Sequence, residues 1–300
     1  MKKKILYLLC GVCMLFACSQ NSEKTDSPTD GLITISTDIQ PLTRRPHMDE
    51  TGNGNFLEGD RFALMLSGDG MTSMCKDYYV GHTALLWNDP AFASASNIVR
   101  FSGCYPLPSE TEGSDFVFDV SQASEKDLLL APAVEVKLYS AEVIRLSFHH
   151  ALHRLKIIYQ MSSDYTEEEA TKIQTSCRAR STCRVDLESG QIKEVLNTTS
   201  VFKEQGAEVS FLLPPQTADG IDLNIDMGEE SQQYNLGKWL QENGILQTGL
   251  DGGRELVLTL RVSRQGINIE GSGIGGWENQ GSADGEISVT SFLSAKESDL

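Results

Sequence analysis

The stretch VIRLSFHHALHRLKIIY, Val143 to Tyr159, holds three of the five histidines in a chain of 300 residues. Two readings compete for it. His149 and His153 are four apart, a spacing that on a helix puts both imidazoles on one face and suits zinc. The apolar residues argue otherwise. Ile144, Leu146 and Phe148 alternate into the segment, and Leu155 and Ile157 alternate out of it. A period of two belongs to extended chain, so the stretch reads as two strands joined by a turn or bulge. On a strand, residues four apart share a face but stand roughly 13 Å from each other, too far to share one ion. No HExxH glutamate accompanies them. These histidines are structural imidazoles, and no metal ligand is assigned.

The same period runs outward in both directions. LITISTDI sets Ile33, Ile35 and Thr37 on one face. IDLNIDM alternates Ile221, Leu223, Ile225 and Met227 with Asp222, Asn224 and Asp226, and ELVLTLRV alternates Leu256, Leu258 and Leu260 with Val257, Thr259 and Arg261. FVFDV and EVSFLL add further short runs, with polar or glycine-rich turns between them. Many short strands with one apolar face predict an all-β chain of antiparallel sandwiches. Helices are few. Asp164 with Glu167 reads as a capping box for YTEEEATKI, and LGKWLQEN stops at Gly244. About 270 residues beyond the N-terminal segment allow one large domain or two ordinary ones. The strand pattern restarts in VKLYSAEVIRLSF, which places a boundary near residue 142, between an N-terminal sandwich at 31–142 and a C-terminal one at 143–300.

The N-terminus carries an address. Lys2, Lys3 and Lys4 precede an apolar run from Ile5 to Ala17. Thirteen residues fall short of the roughly 20 that a membrane-spanning helix needs, so residues 1–17 read as a secretory signal. The run ends in LFAC, which resembles a lipobox and marks Cys18 as the lipidated first residue of the mature chain; bulky Phe16 departs from the usual pattern. Residues 18–30 then form a polar, flexible tether. Loss of three lysines and no acid with the signal takes the formal charge from −17 to −20. A surface so acidic repels nucleic acid and anionic lipid.

Beyond Cys18 the cysteines are Cys75, Cys104, Cys177 and Cys183. Four cysteines allow three pairings, and an exported chain can oxidise them. Cys177 and Cys183 are the candidate bridge, with free thiols as the alternative. Other constellations give way to blander readings. The segment Asp222–Glu230 lacks the glycine and glutamate that a calcium loop needs at its sixth and twelfth positions, and it reads as a strand with acids facing water. Tyr78, Tyr79 and Trp87 form either a glycan-binding surface or core. No catalytic set and no cofactor site stands out, so the chain is not read as an enzyme.

In sequence order the punctuation between strands is FLEGDRFALML (Phe56–Leu66), RFSGCYPLPSE (Arg100–Glu110), FDVSQASEKDLLLAPA (Phe118–Ala133), FHHA within Val143–Tyr159, FLLPPQTADG (Phe211–Gly220) and IGGWENQG (Ile274–Gly281). This succession resembles the fimbrillin-like proteins, lipoprotein pilin subunits of type V pili in Bacteroidota-type bacteria. Phe56 replaces a common tryptophan, Cys104 a common alanine, and His149 and His153 exceed the usual single histidine. The resemblance implies two transthyretin-like sandwiches in series and a place in adhesive pili at the outer membrane, held there through a lipid anchor. It also implies assembly with other pilin subunits by strand exchange. A protease cuts after an arginine following the first strand, that strand leaves, and a strand of the next subunit fills the groove. Here Leu32–Ile39 would be the removable strand, Arg44 and Arg45 the processing site, and residues 286–300 a donor strand or a last edge strand. Because Pro46 follows Arg45, Arg44–Arg45 is the preferred bond. The competing reading is a non-polymerising surface lipoprotein that binds glycan or another host or bacterial surface ligand.

Overall fold

The computed structural model describes residues 31–40 and 55–276, except 164, 229–230, 246–248 and 264–265. Cys18, Arg44, Arg45, the tether and residues 286–300 lie outside the described residues.

The chain enters as β1 (Leu32–Ile33) and β2 (Ile35–Ile39). A hairpin of β3 (Arg61–Gly68) and β4 (Met74–Tyr79) follows, then β5 (Leu85–Leu86), β6 (Ile98–Tyr105), β7 (Asp115–Asp119), β8 (Leu129–Lys137) and β9 (Ile144–His150). Six of these form one sheet in the order β2-β9-β8-β6-β3-β4, and β1 pairs with β5. Alternation supplies the core of this half: Phe62, Leu64 and Leu66 of β3 meet Val99 and Phe101 of β6 and Ile144, Leu146 and Phe148 of β9.

The second half runs through β10 (His153–Met161), β11 (Gln174–Arg180), β12 (Thr182–Asp186), β13 (Gln191–Val195), β14 (Thr199–Gln205) and β15 (Glu208–Leu213). It continues through β16 (Gln216–Thr217), β17 (Asp222–Asp226), β18 (Ser231–Asn235), β19 (Gly249–Leu250), β20 (Arg254–Ser263) and β21 (Gly266–Gly276). Two four-stranded sheets, β15-β10-β20-β21 and β14-β11-β17-β18, make a sandwich. Leu155, Ile157, Leu256 and Leu258 of the first share a core with Cys177, Ala179, Leu223 and Ile225 of the second, the interdigitation expected of stacked sheets. All-β is the architecture, as the alternation predicts.

Four details differ from the sequence reading. First, two ladders are parallel, β2 with β9 and β10 with β20; a period of two fixes the faces of a strand but not its direction. Second, β9, which follows the expected boundary at residue 142, belongs to the six-stranded sheet, and sheet membership changes at Ala151–Leu152 between β9 and β10. Third, β7 leaves the first half altogether and pairs with β12 in the small sheet β13-β12-β7. Beneath that sheet a third apolar cluster mixes Phe116, Phe118 and Leu130 with Cys183, Val185 and Leu187. Fourth, the first helix, α1 (Glu167–Ala170), is capped two residues later than expected. Thr166 Oγ1 accepts from the Glu169 amide, and the Glu169 carboxylate accepts from the Thr166 amide. The second, α2 (Leu236–Glu242), ends before Gly244 at φ +74°, as its sequence predicts.

Candidate functional site: the N-terminal edge strand and the histidine junction

The segment Leu32–Ile39 forms β1 and β2, and β2 is the outermost strand of the six-stranded sheet. It lies parallel to β9, with Ile35 opposite Ile144 and Ile39 opposite Phe148. The Ile144 amide donates to the Thr34 carbonyl at 2.9 Å and the Gln40 amide to the Phe148 carbonyl at 2.8 Å. Ser147 Oγ adds a bond to Asp38 Oδ1 at 2.8 Å. At its start the Trp87 amide donates to the Gly31 carbonyl at 2.7 Å. Ile33 and Ile39 reach inward and are 5% and 4% exposed, against Phe148, Leu146 and Leu85. Burial of two isoleucines contributes roughly 1.5–3 kcal/mol each. The segment is thus attached by two short ladders, β1 with β5 and β2 with β9, and by two anchoring side chains.

The apolar cluster that Ile33 and Ile39 join is built from the punctuation residues. Phe148 is fully buried, with its ring 4.8 Å from Phe56 and 5.1 Å from Phe62. Gly103 lies directly under that ring: a Cβ there would come within 2.4 Å of Phe148 Cζ. FLEGD, FSGCYP and FHHA therefore meet at one place, and each supplies a part that the others need.

The imidazoles staple the junction between β9 and β10. His150, 2% exposed, donates from Nδ1 to Asp127 Oδ2 at 2.8 Å, so FHHA is tied to the aspartate of EKDLL. His153, fully buried, donates from Nδ1 to the Asp251 carbonyl at 2.9 Å. Burial pushes the His153 pKa down to about 4, against a smaller upward pull from that carbonyl. Its ring is therefore neutral at pH 7, and its Nε2 has no partner among the described residues. Burial also lowers the pKa of His149, with His150 adding a smaller effect in the same direction. The two histidines four apart sit on different strands, and no group of three or more metal-ligating side chains converges among the described residues. Next to this junction Arg154 and Glu255 are cross-strand partners and form a buried ion pair at 2.6 Å.

Further along, Gln216 of the PPQT segment acts as a strand partner in miniature. Its Oε1 accepts from the Arg180 amide at 3.0 Å and its Nε2 donates to the Arg180 carbonyl at 3.2 Å. No sequence pattern singled out this side-chain role.

The remaining candidates are placed as follows. Cys177 and Cys183 are free thiols, and they point into different apolar clusters; the candidate bridge between them is not formed. Burial raises both pKa values to about 12. Tyr78 and Trp87 are core residues, 8% and 4% exposed. Tyr79 is exposed beneath the Arg61 guanidinium, 4.4 Å from its ring centre, so these three aromatics do not form one surface. Asp222–Asp226 is strand β17, with Leu223 and Ile225 inward.

The architecture is a sandwich-built, all-β chain with a short strand laid on one sheet edge. A sequence profile described as fimbrillin-like matches residues 50–277. The chain belongs to the fimbrillin-like family, which associates it with cell-surface fimbriae and adhesion. No curated protein matches the sequence. Among solved structures the fold is similar to that of a candidate cell adhesion protein from Bacteroides uniformis, at TM-score 0.61 and 17% identity, covering 83% of this chain and 100% of that one. A candidate cell adhesion protein from Bacteroides ovatus is similar at TM-score 0.57 and 13% identity, covering 82% and 97%. At such identities the likeness is one of fold.

Proposed function

We propose that this chain is a fimbrial subunit, exported as an outer-membrane lipoprotein through Cys18 and assembled with other pilin subunits by protease-triggered strand exchange. The observation that carries the reading is the place of Leu32–Ile39. Among the described strands β2 is an edge strand paired only with β9, β1 before it is held by the two-residue strand β5, and Ile33 and Ile39 pack into the apolar cluster of this sheet. An edge that loses its strand presents unpaired amides and carbonyls along β9 and exposes Phe148 and Leu146, which favours replacement by another strand. Arg44 and Arg45 follow Gln40 closely in sequence, so a cut at Arg44–Arg45 would sever this strand from the rest of the chain. Residues 286–300 are the candidate donor. Adhesion follows from the polymer as a surface fibre, with no reaction catalysed.

The test is replacement of Arg44 and Arg45 together by alanine in cells that display the protein. Heat-resistant ladders of surface polymer are expected from the unmodified chain and only monomers from the double variant. Ladders of equal intensity from both would remove processing at this site from the mechanism.

A further inference from the structure

The outward face of the sheet β14-β11-β17-β18 is polar, uncovered among the described residues, and concave. Leu223 and Ile225 turn into the sandwich core, while their neighbours turn out. Across three strands Ser176, Asn224 and Gln233 stand side by side, and the next row is Arg178, Asp222 and Asn235. Val201 flanks Arg178 on the fourth strand and is 56% exposed. A depression of about 480 Å³ covers both rows, within the size range of small-ligand sites.

The polar groups divide into those held and those free. Asn235 Nδ2 donates to Asp222 Oδ1 at 3.2 Å and to the Asp219 carbonyl at 2.8 Å. Arg178 Nη1 lies 3.5 Å from Asp222 Oδ2, and Ser231 Oγ donates to Asn224 Oδ1 at 2.9 Å. These contacts fix the carboxylate and one amide plane. Among the described residues the Asn224 NH2, the whole Gln233 amide and the Ser176 hydroxyl have no hydrogen-bond partner. An array of donors and acceptors, anchored by Asp222 and Asn224, with an aliphatic side chain beside it suits a ligand with adjacent hydroxyls and an apolar C–H face. Charge narrows the class. Arg178 is neutralised by Asp222, Lys203 stands opposite Ser176 at the end of the first row, and the molecule as a whole carries −17, so the overall field disfavours an anion.

We propose that this sheet face binds a neutral oligosaccharide, with Asn224, Gln233 and Ser176 hydrogen-bonding its hydroxyls and Val201 packing on a sugar ring. The site lies on a different sheet from the groove of Leu32–Ile39 and does not depend on strand exchange. The purified full-length protein is titrated calorimetrically with maltotetraose, cellotetraose, mannotetraose and N-acetyllactosamine, with sialylated N-acetyllactosamine as the charged comparator. At least one neutral sugar should bind, and Asn224→Ala combined with Gln233→Ala should weaken it tenfold or more without moving the melting temperature. If the double variant fails to fold, the same loss is read from Gln233→Glu, a change at an exposed position. No binding by any neutral sugar, binding unchanged in the variants, or binding of the sialylated sugar alone would overturn the proposal. None of these results bears on polymer formation.

Discussion

At the residue scale, the groups that look most chemical in this sequence are the ones that hold it together. Burial keeps His153 neutral in the folded chain at a pKa of about 4, against 6.5 for a free imidazole. The unfolded chain therefore takes up a proton that the folded chain refuses. Stability from this group is complete above pH 6.5 and is lost as the pH falls towards 4, by up to about 3 kcal/mol. Melting curves between pH 7 and 4 should be steeper for the native protein than for His153→Gln, and equal slopes would contradict the buried neutral ring. Thiols give a second check. Of the four described cysteines only Cys75 is exposed, so iodoacetamide applied to the native protein should label Cys75 first, at a rate held down by burial and the nearby Asp77, which raise its pKa. It should reach Cys104, Cys177 and Cys183 only after denaturation. A Cys177–Cys183 peptide resistant to labelling until reduction would reinstate the bridge. The sequence spacing argued against a shared metal ion at the histidines and placed them at a strand junction. Their actual partners were out of its reach, because Asp127 and Asp251 lie 23 and 98 residues away and only the fold brings them near.

At the scale of elements, the edge strand is the sensitive part. Ile39 is buried on a strand with a single ladder, so Ile39→Ala should cost about 2–5 kcal/mol in chemical denaturation. A change below 1 kcal/mol would mean that β2 contributes little to the folded monomer. Strand positions were legible because alternation names the inward face directly, as for β17 and β20. Direction and partner were not, because β2 and β9 are more than a hundred residues apart in sequence and nothing local encodes a parallel ladder. That the change of sheet falls at Ala151–Leu152, between β9 and β10, was out of reach for a similar reason. The restart of the strand pattern at Val143 marks β9, which closes the first sheet before the chain crosses to the second. The cap of α1 moved because Thr166 and Glu169 satisfy a capping box as well as the earlier pair does, and local spacing alone ranks the two equally.

At the scale of the molecule, the short-range motifs converge on one place: Phe56, Gly103 and Phe148 meet on one face of the six-stranded sheet, and Phe148 is also the register partner of Ile39 in the edge strand. Under the proposed strand exchange, this cluster would have to keep its shape when the strand departs. The small sheet of β7, β12 and β13 and the third apolar cluster tie the two halves together. The measurement that tests strand exchange most directly is N-terminal sequencing of the chain recovered from surface polymers. The account predicts a start at Arg45, with Leu32–Ile39 gone. Polymers whose chains retain Leu32–Ile39 would contradict it.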